Sequence, residues 1–215
     1  EGLLMKKLLT AALAAAVLMV TLGGAVLAEP RLPSDADAQP DTSYEAGSAP
    51  AQTDAWTAMQ PAIHALVLAM DENDLDYTPD DPRFQWVALY YMLSLYGRMD
   101  DRAELSDAYL TLPGEAVMDL AIPMFPQLTG LPQLPEELAD RITYDAGGDT
   151  YQLSRGDEGL SQVTLTSSYP TGNTGRVITG EMVYLETGKV LHTFRVQLEE
   201  DDSMFGFAIT GLTLD

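Results

Sequence analysis

The sequence predicts an α+β fold: N-terminal helices packed on a C-terminal curled antiparallel β-meander. Three observations carry this. Apolar residues recur at helical spacing between residues 53 and 140, they switch to strict alternation from Arg141 onward, and short polar turns join the alternating runs. A sheet with one apolar face needs a cover, and the preceding helices supply it.

Two stretches come before that domain. Met5-Lys6-Lys7 opens a charged region, Leu8 to Val20 is almost wholly apolar, and Gly23-Gly24 breaks the run. Val26-Leu27-Ala28 then places slim or small residues where a signal peptidase reads. Residues 1–28 thus read as a secretory signal peptide. The alternative is an uncleaved anchor, because Leu8 to Ala28 is just long enough to span a bilayer. The expected location is secreted or cell-surface associated, and removal of the signal leaves no stable membrane span. Residues 29–52 are rich in Pro, Ser, Asp and Ala, with Leu32 and Tyr44 as the only large apolar side chains. Such a segment cannot bury enough surface to offset its ordering entropy, so it reads as a disordered spacer. What remains, 53–215, is a single α+β domain, with a helical half over 53–140 and a β half over 141–215.

Charge narrows the class of partner. The chain has 11 basic and 33 acidic residues, a formal net charge of −22. A phosphate backbone requires a basic surface, so nucleic acid is excluded as a partner. Anionic lipid is disfavoured for the same reason. The surface favours solubility and self-repulsion, or a cationic partner or calcium. There is no cysteine. Disulfide staples, thiol catalysis and cysteine-ligated zinc are therefore excluded, and the fold must rest on its core.

The helical half begins with Trp56, Met59, Ile63, Leu66, Val67 and Met70, one apolar stripe in which Pro61 marks either a kink or the true start. After an acidic connection, Asp81 stands at an N-cap position with Pro82 at the first helical position. The helix beyond is apolar nearly all round, carries Trp86, and is closed by Gly97. It is too short to cross a bilayer, which takes about 20 residues. Tyr109 to Leu112 reads as a short strand. A third helix follows Pro113, carrying Val117, Leu120 and Ala121 and ending at Pro123 and Pro126.

In the β half, Ile142-Thr143-Tyr144 and Thr150-Tyr151-Gln152-Leu153 flank a glycine-rich turn, a hairpin signal. Alternating runs follow around Val163, around Ile178 and Met182, and from Val190 through His192, Phe194, Val196 and Leu198. The chain turns at Glu186-Thr187-Gly188-Lys189, and Phe205, Phe207 and Ile209 begin the closing strand. Short turns between neighbouring strands imply antiparallel pairing.

This order of helices, short strand, helix and long meander resembles the nuclear-transport-factor-two-like roll and its cystatin-like relatives, over residues 53–215. The stretches YTPDDPRFQWVALYYMLSLYG, AIPMFPQLTGLPQLP and FGFAITGL are also similar to those of secreted proteins of gut clostridia. The resemblance implies a fold rather than an activity, because such rolls host enzymes and non-enzymes alike. In the roll family the concave sheet face can line a cone-shaped pocket in which His, Asp or Tyr act as acids and bases.

Among residues that could carry chemistry, His192 is the catalytic candidate. Alternation puts it on the core face with Val190, Phe194 and Val196, none of which can orient an imidazole. A packing role is therefore the expectation. His64, at the border of the first stripe, reads as structural. Asp71, Glu72, Asp74, Asp76, Asp80 and Asp81 form an acidic cluster from which Asp74, Asp76 and Asp80 are the metal candidates, since calcium takes hard oxygens. The twelve-residue calcium loop fails here: counted from Asp74, its glycine position is Pro79 and its final glutamate position is Gln85. Glu199 to Asp202 reads as a polar turn, and Tyr90, Tyr91 and Tyr96 as core packing. No phosphate-cradling glycine loop, His-Glu-x-x-His or Gly-x-Ser-x-Gly is present, and no cofactor is implied.

The expected function is an exported, non-catalytic binding or interaction module with a protein or small-molecule ligand. One alternative is a small-molecule lyase or isomerase with a cone-shaped pocket around His192. The other is a calcium-stabilised surface module.

Overall fold

The computed structural model describes residues 55–154 and 159–215. The signal-peptide and spacer readings of 1–52 lie outside the described residues.

A 3-10 turn, Ala55–Met59, leads into helix α1 (Gln60–Asn73). Pro61 sits in the first turn, where its missing N–H forfeits no helical bond, so it marks the start of the helix and not a kink. Every residue from Ala62 to Met70 is buried, so α1 is enclosed on all sides and not along one stripe. It packs against helix α2 (Pro82–Tyr96) and a strand of the second sheet. Asp81 caps α2 as its sequence position predicts, its carboxylate accepting the Arg83 N–H at 3.0 Å. Trp86 is fully buried, its indole N–H donating to the Pro132 carbonyl at 2.9 Å. Its ring lies 5.4 Å from that of Tyr151.

Gly97 ends α2, but in a right-handed conformation (φ −55°) that any residue adopts. The packing there is nonetheless tight: a Cβ would stand 2.8 Å from Leu110 Cδ2, so the Leu110 side chain would have to shift. The helix end is pressed against a neighbouring strand.

The strands form two antiparallel sheets. The first contains β1 (Glu104–Leu105), β2 (Tyr109–Pro113), β3 (Ile142–Asp145) and β4 (Thr150–Ser154), in the order β1-β2-β4-β3. Helix α3 (Gly114–Ala121) follows β2 directly. The second is a meander of β5 (Ser161–Thr171), β6 (Gly175–Tyr184), β7 (Val190–Glu200) and β8 (Phe207–Leu214), paired in chain order. The α+β class is thus as the sequence predicts, and the meander is β5 to β8. The β3-β4 hairpin instead joins the strands contributed by the helical half.

The core is filled. Trp86, Phe84, Phe125, Met59 and Ile63 are among its largest fully buried side chains. Among the described residues, every buried side-chain nitrogen and oxygen has a hydrogen-bond partner. No helix among them is long and apolar enough to cross a membrane.

Candidate functional site

Two local irregularities build the site. The first is the end of α1. The Leu75 N–H bonds back to the Met70 carbonyl at 3.0 Å, while Asp74 takes the left-handed conformation (φ 51°, ψ 48°). This is a Schellman-type closure, with aspartate where glycine is usual. Asp71, Glu72 and Asp74 thus stand together at the carbonyl end of the helix, and no basic residue occupies the last turn. Carboxylates at the negative pole of a helix do not stabilise it. The placement therefore creates a local negative potential at this end of the helix.

The second irregularity is in β7. Met182 pairs with His192, but the next residue of β6, Val183, pairs with Val190. Leu191 is left opposite no residue, which makes a β-bulge, and bulges re-aim the side chains beside them. His192 does share its face with buried Phe194, Val196 and Leu198, as alternation predicts. Val190 does not: the bulge takes it out of phase, and it is 42% exposed.

These two features bring His192 and Asp71 together. The imidazole Nε2 lies 2.6 Å from Asp71 Oδ1, with side-chain exposures of 34% and 29%. The expectation that no neighbour orients His192 is therefore corrected. Its neighbours along the strand cannot, but a carboxylate 121 residues away in sequence does. The pair opens onto a cleft of about 470 Å³, walled by Asp74, Asp76 and Tyr77 from the loop after α1 and by Leu212 and Thr213 of β8. With Nε2 engaged by the carboxylate, Nδ1 has no hydrogen-bond partner among the described residues. An imidazole tethered in this way can exchange a proton at one nitrogen while the carboxylate balances charge at the other. The Tyr77 hydroxyl donates to the Ile209 carbonyl at 3.4 Å. Burial, with help from Asp80, pushes that phenol up to about 12, so it remains a neutral donor.

Of the metal candidates, Asp74 and Asp76 line this cleft and Asp80 does not. Among the described residues, no three histidine or carboxylate side chains are grouped so that they could hold a metal ion.

His64 lies elsewhere and is 3% exposed. Its Nδ1 meets the Tyr96 hydroxyl at 2.6 Å and its Nε2 meets the Ser161 hydroxyl at 3.3 Å. Burial lowers its pKa to about 4, so the ring is neutral and its two partners satisfy it. It bolts α1 to α2 and β5, which is the structural role the sequence suggests.

Tyr90 and Tyr91, read from sequence as core, are only partly buried and border a second cleft on the other side of Asp71. The Tyr91 hydroxyl donates to Glu72 at 2.6 Å. Burial, then that bond, raises its pKa to about 12. Asp71 is the partner of His192 that spacing along the strand does not reveal. Its signal in the sequence is its place as the first carboxylate of an acidic run at a helix C-terminus, where the helix dipole does not favour a negative charge.

No family model, no curated protein and no solved structure matches the chain.

Proposed function

We propose that the protein acts on a small molecule by proton transfer in the His192–Asp71 cleft, as a lyase- or isomerase-type enzyme. The observation that carries this reading is the 2.6 Å bond between the imidazole and the Asp71 carboxylate at the wall of a cleft of about 470 Å³. That volume is within the range of small-molecule sites. Asp71 fixes the ring orientation and compensates the imidazolium that forms when Nδ1 takes a proton. Asp74 and Asp76 make the cleft acidic, so it suits a substrate that is cationic or rich in hydroxyl donors.

The test is deuterium uptake, followed by NMR, into a panel of small carbonyl and hydroxy compounds incubated with the protein in heavy water. Exchange that is lost in both His192→Gln and Asp71→Asn, with unchanged melting, supports the reading. Exchange that survives both substitutions, or none with any compound, overturns it.

A second reading is favoured by the second cleft, beside Tyr90 and Tyr91: a non-catalytic binding module that uses its surface clefts. It expects ligand-induced shifts at His192 with no exchange, and it tolerates His192→Gln with ligand binding retained.

A further inference from the structure

The cleft on the far side of Asp71 has a different chemistry. Its walls include Tyr90, Tyr91 and Tyr184, and its charged residues are Asp71 and Glu72, with no basic residue lining it. The geometry points to a binding site for an organic ammonium ion, a quaternary or alkylated amine of small-molecule size. The site shares only Asp71 with the proton-transfer cleft and does not depend on that reading.

Four observations support it. Aromatic faces attract a cation through the ring quadrupole, and do so best where water is partly excluded. The protein already uses one of these rings in this way: the Arg141 guanidinium lies 5.1 Å from the centre of Tyr90. That guanidinium also acts on the Tyr91 hydroxyl, so Tyr184 is the wall tyrosine left for an incoming ligand. The carbonyl end of α1, where Asp71 and Glu72 stand, adds negative potential from the helix itself. The rim is apolar, with Leu160 at 69% exposure and Leu191, the bulged residue of β7, also exposed. An apolar rim over rings and carboxylates fits an alkylated ammonium better than a hydrated inorganic ion, which takes several oxygen ligands. The cleft volume, about 410 Å³, suits a small molecule.

The probe is choline, set against its uncharged carbon isostere 3,3-dimethyl-1-butanol, titrated calorimetrically into the full chain at low salt. Choline is expected to bind in a single step roughly tenfold or more tighter than the isostere. Tyr184→Leu and Glu72→Gln are expected to weaken it several-fold. Both side chains are at least partly exposed, so the variants should fold, and a melt confirms this. Asp202→Asn, which removes one negative charge from the last turn, is expected to leave binding unchanged. Equal affinity for the isostere would make the cleft merely apolar and overturn the proposal. So would equal weakening by Glu72→Gln and Asp202→Asn, which would reduce it to diffuse charge, and so would no binding at millimolar choline.

Discussion

His192 on β7 and Asp71 on the last turn of α1 meet at 2.6 Å, each with about a third or less of its side chain exposed. A pair so open to water contributes little to stability, on the order of 0.5–1 kcal/mol. His192→Gln and Asp71→Asn should therefore each shift denaturant midpoints only slightly. A double-mutant cycle between them should give a coupling of about 0.5 kcal/mol or more. Zero coupling would mean that the two side chains do not meet in solution. Under the proposed function the same substitutions should lower the proton-exchange rate by roughly 10²–10⁴-fold. A site that matters for chemistry and little for folding is the expected signature.

His64 predicts a pH dependence of stability. Its folded pKa is about 4 against an ordinary 6.5, because burial penalises the charged ring. Between these values the unfolded chain binds more protons than the folded one. Stability from this group is fully present above pH 6.5 and is lost as pH falls toward 4, by up to about 3 kcal/mol. Acidification also relieves repulsion in a chain of net charge −22, which acts in the opposite direction. The informative quantity is thus the difference between wild type and His64→Gln in urea midpoints at several pH values. That difference should shrink as pH drops from 7 to 4. A difference that stays constant would show that the ring does not titrate between the two states.

Trp86 sits on α2 with no exposed surface and a hydrogen bond to the Pro132 carbonyl. Trp86→Ala should cost roughly 3–5 kcal/mol. Trp86→Phe keeps much of the packing but strands a carbonyl and should cost less, about 1–3 kcal/mol. Denaturant melts decide both, and a loss of only a few tenths for the alanine variant would contradict the packing of α2 against Tyr151.

What the sequence made legible was local. Asp81 and Pro82 at the start of α2, the hairpin around Gly147-Gly148, and the shared face of His192, Phe194 and Val196 all follow from spacing within about ten residues. What it hid depends on distant pairing. The bond from Asp71 to His192 crosses 121 residues, and alternation along β7 cannot report it. The bulge at Leu191 interrupts a period that looks unbroken in sequence, so alternation alone puts Val190 on the wrong face. The union of β2 with β4 depends on Leu110 finding Leu153 and Leu112 finding Tyr151, partners that no turn signal connects. Gly97 is legible as a helix end, but the close approach of Leu110 to it is not.

Gly180 tests the register on which the site depends. In β6 it pairs directly with Phe194 of β7, two residues along the same face from His192. A Cβ at position 180 would overlap the Phe194 ring on one side and the Thr164 carbonyl of β5 on the other. The ring is buried and the carbonyl belongs to the sheet, so neither can yield easily. Gly180→Ala should therefore destabilise by about 1–3 kcal/mol, the usual cost of overfilling a packed site. Gly211→Ala in β8 is the control. Its nearest atom would be Cδ of the flexible Gln197 side chain at 3.4 Å. That variant should fall within about 0.5 kcal/mol of wild type, because a restricted unfolded chain offsets the small contact. If the two alanine variants melt alike, Phe194 does not lie across Gly180. The β6–β7 register that aims His192 at Asp71 would then be wrong.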